Sequence, residues 1–162
     1  MLISAGPMQR IKQSIKECIA RTELVSVTAE DTVDAAVAAM LEHKTDCVLV
    51  VQSGELVGIF TERDFINRVA ARKRNPATVK IGEVMTAEPE TLRPHDMVAY
   101  AINQMVVGGY RHVPIVDDGG RPTSVLDVRV VMTHLIKLFA EIEQNGGRDP
   151  GDDDEWVDIG GG

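Results

Sequence analysis

Thr61 and Asp64 stand three residues apart, where the apolar run Leu56-Val57-Gly58-Ile59-Phe60 ends and helical spacing begins. At such a strand-to-helix junction a threonine hydroxyl can cap the first turn, and the unpaired amides there attract anions. A carboxylate three residues on lies beside that hydroxyl, on the same side of the turn. It accepts two hydrogen bonds, which suits the vicinal hydroxyls of a ribose. Spacing alone favours a plainer reading, a capping box in which Thr61 and Asp64 satisfy only the helix's own amides. Arg63 lies between the two, and Tyr110-Arg111-His112 follows later in the chain. Arginine offers phosphate a bidentate fork. The plainer alternatives are a surface ion pair for Arg63, with Glu62 or another acid, and a solvated strand edge for Arg111 and His112.

Other chemistry finds little support. There is no GxxxxGK[ST] phosphate loop and no nucleophile with an evident base. The histidines (His43, His95, His112, His134) and cysteines (Cys18, Cys47) show no metal-ligand spacing, so neither a metal nor a cofactor is expected. Each cysteine sits among apolar residues and reads as a small buried hydrophobe in a reducing compartment. The expectation is a binding protein and not an enzyme. Aromatic residues make up 4% of the chain and no basic patch is segregated, which argues against nucleic acid. No apolar run reaches membrane-spanning length, and the start MLISAGPMQRIKQ lacks signal-peptide features. A cytoplasmic location without a membrane partner is expected. The net charge of −8 is uneven: residues 145–162 hold six acids and one base, leaving 19 acids against 16 bases elsewhere. That glycine- and aspartate-rich tail is expected to be disordered. Its Trp156 reads as part of an exposed tail in preference to a docking peptide.

The elements that must position Thr61 and Asp64 occur twice. A shift of 65 to 66 residues aligns Val33 with Val98, Met40 with Met105, Val48 with Val113, and Arg63 with Arg129. Each copy opens with a short run, Leu24-Val25-Ser26-Val27 or Glu90-Thr91-Leu92. A helix follows, with stripes Val33, Ala36, Val37, Met40, Leu41 and Val98, Ala101, Ile102, Met105. Thr28 or Asp31 is expected to cap the first, and Pro94 to stand in the first turn of the second. Two apolar strands come next, CVLVV and LVGIFT around Gly54, and HVPIV and TSVLDV around Gly119-Gly120. Closing helices are expected near 63–73 and 129–144. The fold class is therefore α/β (α+β), a β-α-β-β-α unit repeated as a pseudo-symmetric pair. The expected divisions are an N-terminal segment 1–14, repeats 15–74 and 75–144, and the tail 145–162. The apolar face of Ile11, Ile15, Cys18 and Ile19 is expected to pack on the body.

This order of elements resembles the cystathionine-beta-synthase (CBS) domain family, whose tandem pair is the Bateman module. The best match is Gly58-Ile59-Phe60-Thr61-Glu62-Arg63-Asp64: glycine, two apolar residues, Ser/Thr, two variable residues and Asp. Lesser matches are Ile81-Gly82-Glu83-Val84-Met85-Thr86 and Tyr110-Arg111-His112-Val113-Pro114-Ile115-Val116-Asp117. The resemblance spans roughly 11–140. It implies a regulatory module that senses an adenine nucleotide (AMP, ADP or ATP) or a related adenosyl compound in a cleft between the copies. It turns Thr61 and Asp64 from cap to ribose site, facing 85–90 and Tyr110-Arg111-His112. Ile59, Met85 and Val113 would hold the adenine, and Arg111, Arg63 and His112 would meet phosphate.

The second copy departs from the pattern. Ser124, Asp127 and Val130 replace the glycine, Ser/Thr and Asp, while Glu23 and Asp46 add negative charge. That cleft is expected to stay empty or to take something cationic or uncharged, with Asp127 as a helix cap the simplest role. The resemblance also implies a homodimer through helical faces and a separate downstream protein. The competing reading is a dimerisation domain that binds no ligand.

Overall fold

The computed structural model describes residues 14–19 and 24–144. Ile11, Glu23, Trp156 and the acidic tail fall outside them. The described elements are α1 (Ile15–Cys18), β1 (Ser26–Val27), α2 (Val33–Glu42), β2 (Cys47–Gln52), β3 (Glu55–Thr61) and α3 (Glu62–Asp64), which continues as a π-helix over Phe65–Ala70. After them come α4 (Ile81–Val84), β4 (Thr86–Ala87), α5 (Val98–Gly108), β5 (His112–Val116), β6 (Pro122–Asp127) and α6 (Val128–Gln144).

The duplication extends to register. In one sheet β1 runs parallel to β2, while β2–β3 and β3–β4 are antiparallel. In the other, β5 and β6 form an antiparallel pair, and Leu92 bridges to Ile115 as Val27 pairs with Val50. Both hairpins carry an irregularity at the same point, between Val50 and Val51 and between Ile115 and Val116. A shared irregularity at equivalent positions is a feature of the unit and not local noise.

Helix starts differ from expectation. Thr32 caps α2, its hydroxyl accepting from the Ala35 amide at 3.3 Å. Thr28 and Asp31 are engaged with each other, Asp31 accepting from the Thr28 amide at 2.6 Å and hydroxyl at 2.9 Å. In the second copy the helix begins only at Val98, so Pro94 precedes it; the Pro94 carbonyl accepts from Lys16 instead, at 2.8 Å.

The two cores exchange their short helices. Val33, Ala36, Met40, Val48, Val50, Phe60 and Val69 of the first copy pack with Ile81 and Val84 from α4. Leu92, Val98, Ala101, Met105, Val113, Ile115 and Leu126 pack with Ile15 from α1, and Cys18 and Ile19 lie against this cluster. Backbone bonds fix both insertions: Ile81 and Gly82 amides donate to Asp31 and Ala29, and Ile15 to Asp96. A third cluster of Cys47, Leu49 and Ile59 meets Val125, joining the sheet faces of the two copies. Neither copy buries its core without a helix lying upstream of the other copy's strands.

Candidate functional site

Phe60 is fully buried and draws β3 into the core, so the strand must end where Thr61 emerges. The helix that begins there is capped by the expected box. The Thr61 amide and hydroxyl donate to Asp64 Oδ2 at 3.0 and 2.9 Å, and the Asp64 amide donates to Thr61 Oγ1 at 3.3 Å. The carboxylate does more than cap. Its Oδ1 accepts from the Thr86 hydroxyl at 3.3 Å and lies 3.5 Å from Arg68 Nε, tying α3 to β4. Asp64 is only 8% exposed, yet it stands on the wall of a cleft. Beyond it the chain widens into the π-helix, which presents Asn67 and Arg68 to the same cleft. Such widened turns are frequent at functional sites.

This first cleft has a volume of ≈ 280 Å³. Ile59, Thr61, Arg63 and Asp64 line one side; Tyr110, Arg111 and His112 line the other. Seven of the nine residues picked out above thus come together. Met85 does not. Its sulfur lies over Gly58, where a β-carbon would stand 2.4 Å from it, and its side chain packs against the first core. Val113 is fully buried in the second core and is likewise no wall of the cleft. Tyr110 folds over Gly108, where a β-carbon would come within 2.1 Å of the ring. Its hydroxyl donates to Glu90; burial and the Glu90 carboxylate push the phenol up to about 12.

The cations on the wall differ in their commitments. Arg63 donates to the Gly109 carbonyl at 2.6 Å, bridging the copies. Arg68 donates to the carbonyls of Val84 and Met85. Among the described residues no side-chain bond or ion pair engages Arg111, which is exposed beside the cleft. His112 is a poor phosphate ligand here. Its Nε2 lies 2.8 Å from Asp46 Oδ1 and 3.3 Å from Asp127 Oδ2, so two carboxylates guard that nitrogen.

A second cleft lies at the other end of the same wall, lined by His43, Cys47, Val125, Asp127, Arg129 and Val130, with Asp46 and His112 shared between both. Asp127 caps α6 by accepting from the Arg129 amide at 2.6 Å. Arg129 also folds back onto it, Nε at 2.9 Å and Nη2 at 2.6 Å, and reaches Asp46 at 3.5 Å. Burial pushes the Asp127 carboxyl up, but these bonds outweigh it and hold the group below the usual carboxylate range. The same bond and charge raise the Arg129 guanidinium.

Sequence spacing missed one grouping. Asp46, Cys47 and His112 place an oxygen, a sulfur and a nitrogen within 4.8 Å of one another. It could not be found from spacing because His112 lies in the other copy. Despite its histidine neighbour, Cys47 is no activated nucleophile: it is 5% exposed and burial pushes its thiol up to about 12.

Two copies of one β-α-β-β-α unit, packed about a shared wall with a capped Thr/Asp junction in the first cleft, define a tandem-repeat α+β module. The CBS domain family model matches residues 15–71 and 81–137, and the chain belongs to that family. It is 36% identical over 114 residues to the CBS domain-containing protein CBSX3, mitochondrial, of Arabidopsis thaliana, a match covering 66% of this chain and 55% of that protein. It spans only 21% of another Arabidopsis relative, CBSCBSPB1, at 32% identity. Among solved structures, the CBS domain protein of Pyrobaculum aerophilum complexed with AMP is similar at TM-score 0.70 and 20% identity, covering 78% of this chain and 98% of that one. The CBS domain pair of protein MJ0100, complexed with 5'-methylthioadenosine and S-adenosylmethionine, matches at TM-score 0.66 and 22% identity, over 80% of this chain and 97% of that one. At these identities the likeness speaks for the fold. Among the described residues no helix is long and apolar enough to cross a membrane.

Proposed function

We propose that the first cleft binds an adenosyl ligand with a short anionic end, AMP foremost, and that the protein is a regulatory module that turns nothing over. The observation that carries this reading is the placement of Arg111. Among the described residues it is an uncommitted cation facing, across the cleft, the part-buried Thr61–Asp64 pair. The ribose hydroxyls would exchange with Thr86 at Asp64 Oδ1, and the phosphate would take the Arg111 fork. A volume of ≈ 280 Å³ is near the lower end for small-molecule sites, and one uncommitted cation among the described residues of the wall matches one phosphate better than three. Ile59 supplies apolar surface for the base. Two relatives of this fold hold adenosyl compounds, which supports the class of ligand. Isothermal titration against AMP, ADP, ATP and S-adenosylmethionine tests the reading. AMP is expected to bind tightest, and Arg111→Ala to weaken AMP without weakening adenosine. Equal binding of all four, or of none, would reject it.

The helices carry exposed apolar side chains that favour pairing of two copies: Leu41 on α2, Val106 and Val107 on α5, and Met132, Ile136 and Phe139 on α6. The proposed assembly is a homodimer through these faces, with ligand-driven tightening passed to a separate protein. Sedimentation with and without AMP checks it.

A further inference from the structure

The fold brings four potential metal donors together from places the sequence keeps far apart. Asp46 and Cys47 enter β2, His112 opens β5, and Asp127 closes β6 directly opposite His112 in register. Strand pairing sets His112 beside Asp127, and the packing of Cys47 against Val125 brings the start of β2 to them. Three different donor atoms lie within 4.8 Å of one another, and a second carboxylate oxygen lies 3.3 Å from the same imidazole nitrogen. A tetrahedral ion with bonds of about 2.0–2.3 Å needs donors roughly 3.3–3.8 Å apart, a gap that small side-chain rotations close. All four residues line the second cleft, which gives an ion a way in. The Cys/His/Asp set selects a borderline-soft cation over magnesium or calcium.

We propose that Asp46, Cys47 and His112, with Asp127 as fourth ligand, form a site for a divalent cation of the zinc class that clamps the two repeats together. The ion would be bound by the Cys47 thiolate after loss of its proton, by His112 Nε2 with the ring proton on Nδ1, and by the two carboxylates. Arg129 now compensates those carboxylates. Its side chain is 73% exposed, so it can swing into solvent as the ion arrives. The bond to His112 would join strands of the two repeats.

The probe is Co²⁺, added to the full-length chain after chelator treatment. One equivalent is expected to give a thiolate-to-metal charge-transfer band with four-coordinate visible bands, displaced by Zn²⁺. The band should vanish in Cys47→Ala, persist in Cys18→Ala, and require at least about tenfold more Co²⁺ in Asp46→Asn. Because Cys47 is buried, His112→Asn provides an independent variant: Zn²⁺ should raise the melting temperature of the wild type but not of His112→Asn. A wild type without the charge-transfer band, a band that survives Cys47→Ala, or an equal Zn²⁺ shift in His112→Asn overturns the proposal.

Discussion

Replacing Asp64 by alanine separates the capping role of its carboxylate from the proposed ribose-binding role. The first job is structural. Losing the capping box costs about 1 kcal/mol, within a range of about 0.5–2. The bonds from Thr86 at 3.3 Å and Arg68 at 3.5 Å are long, so they add little. At about 2–4 °C per kcal/mol for a chain of this size, the ligand-free variant should melt roughly 1–8 °C lower. The second job, the proposed one, is ligand binding. A ligand at 100 times its Kd stabilises the native state by about 2.7 kcal/mol, or roughly 5–11 °C. The wild type should show that increment with saturating AMP, and Asp64→Ala should show almost none of it. The assay is thermal unfolding of both proteins with and without AMP. If Asp64→Ala falls by the expected amount and still gains the full AMP increment, Asp64 is a helix cap alone and the ribose assignment fails.

Gly58→Ala would set a β-carbon 2.4 Å from Met85 Sδ and 3.2 Å from the Thr86 carbonyl, both on the segment that β3 holds. Overpacking of this kind costs about 1–3 kcal/mol, read as a lower urea midpoint with unchanged m-value. Met40 and Met105 occupy equivalent core positions at 7% and 6% exposure. Each alanine variant should lose about 2–5 kcal/mol, and the two losses should agree more closely with each other than with any surface variant. Asp31 is held below its ordinary value of 3.8, first by the Thr28 amide and then by the Thr28 hydroxyl; Glu83 is held below 4.5, first by the Lys80 amide and then by Arg74. Because folding lowers both values, their stabilisation is present above the unfolded values and is lost as the pH falls through the lower folded ones. Urea midpoints should drop between pH 5 and pH 3, about two units, and Asp31→Asn should flatten that drop.

What the sequence made legible was whatever repeats locally. The helical stripes Val33–Ala36–Met40 and Val98–Ala101–Met105 lie at the centres of the two cores because a 3.6-residue period is a property of one helix. The capping box was equally readable, since Thr61 and Asp64 are three residues apart. The start of α5 was not. Pro94 suits a first turn, but its carbonyl is taken by Lys16 and the helix waits until Val98. No local pattern shows that Ile15 and Ile81 serve cores in the opposite copies, because both read only as apolar residues before a turn. The same limit hid the meeting of Asp46 with His112 and the turning of Met85 over Gly58. Each depends on how two copies face each other.

Divergence of those copies has made their clefts opposite in kind. In the first, the carboxylate stands at Asp64, three residues past the cap, and Arg63 is drawn to Gly109, leaving Arg111 free. In the second, the equivalent of Asp64 is Val130 and the carboxylate has moved to the cap itself, Asp127, where it captures Arg129. Among the described residues one cleft thus keeps Arg111 uncommitted on its wall, while the other gathers carboxylates, which is why the proposed ligands carry opposite charge. Asp46 and His112 wall both. A divalent ion held by Asp46 would remove its negative charge from the edge of the first cleft and favour phosphate there. Reciprocity requires AMP to tighten the ion by the same factor. Co²⁺ titrations with and without AMP, matched by AMP titrations with and without Zn²⁺, should give concordant enhancements, of about fivefold or more if the coupling reaches the usual range. A factor of one in both directions would show that the shared wall carries no communication, and that the two clefts act independently despite their common residues.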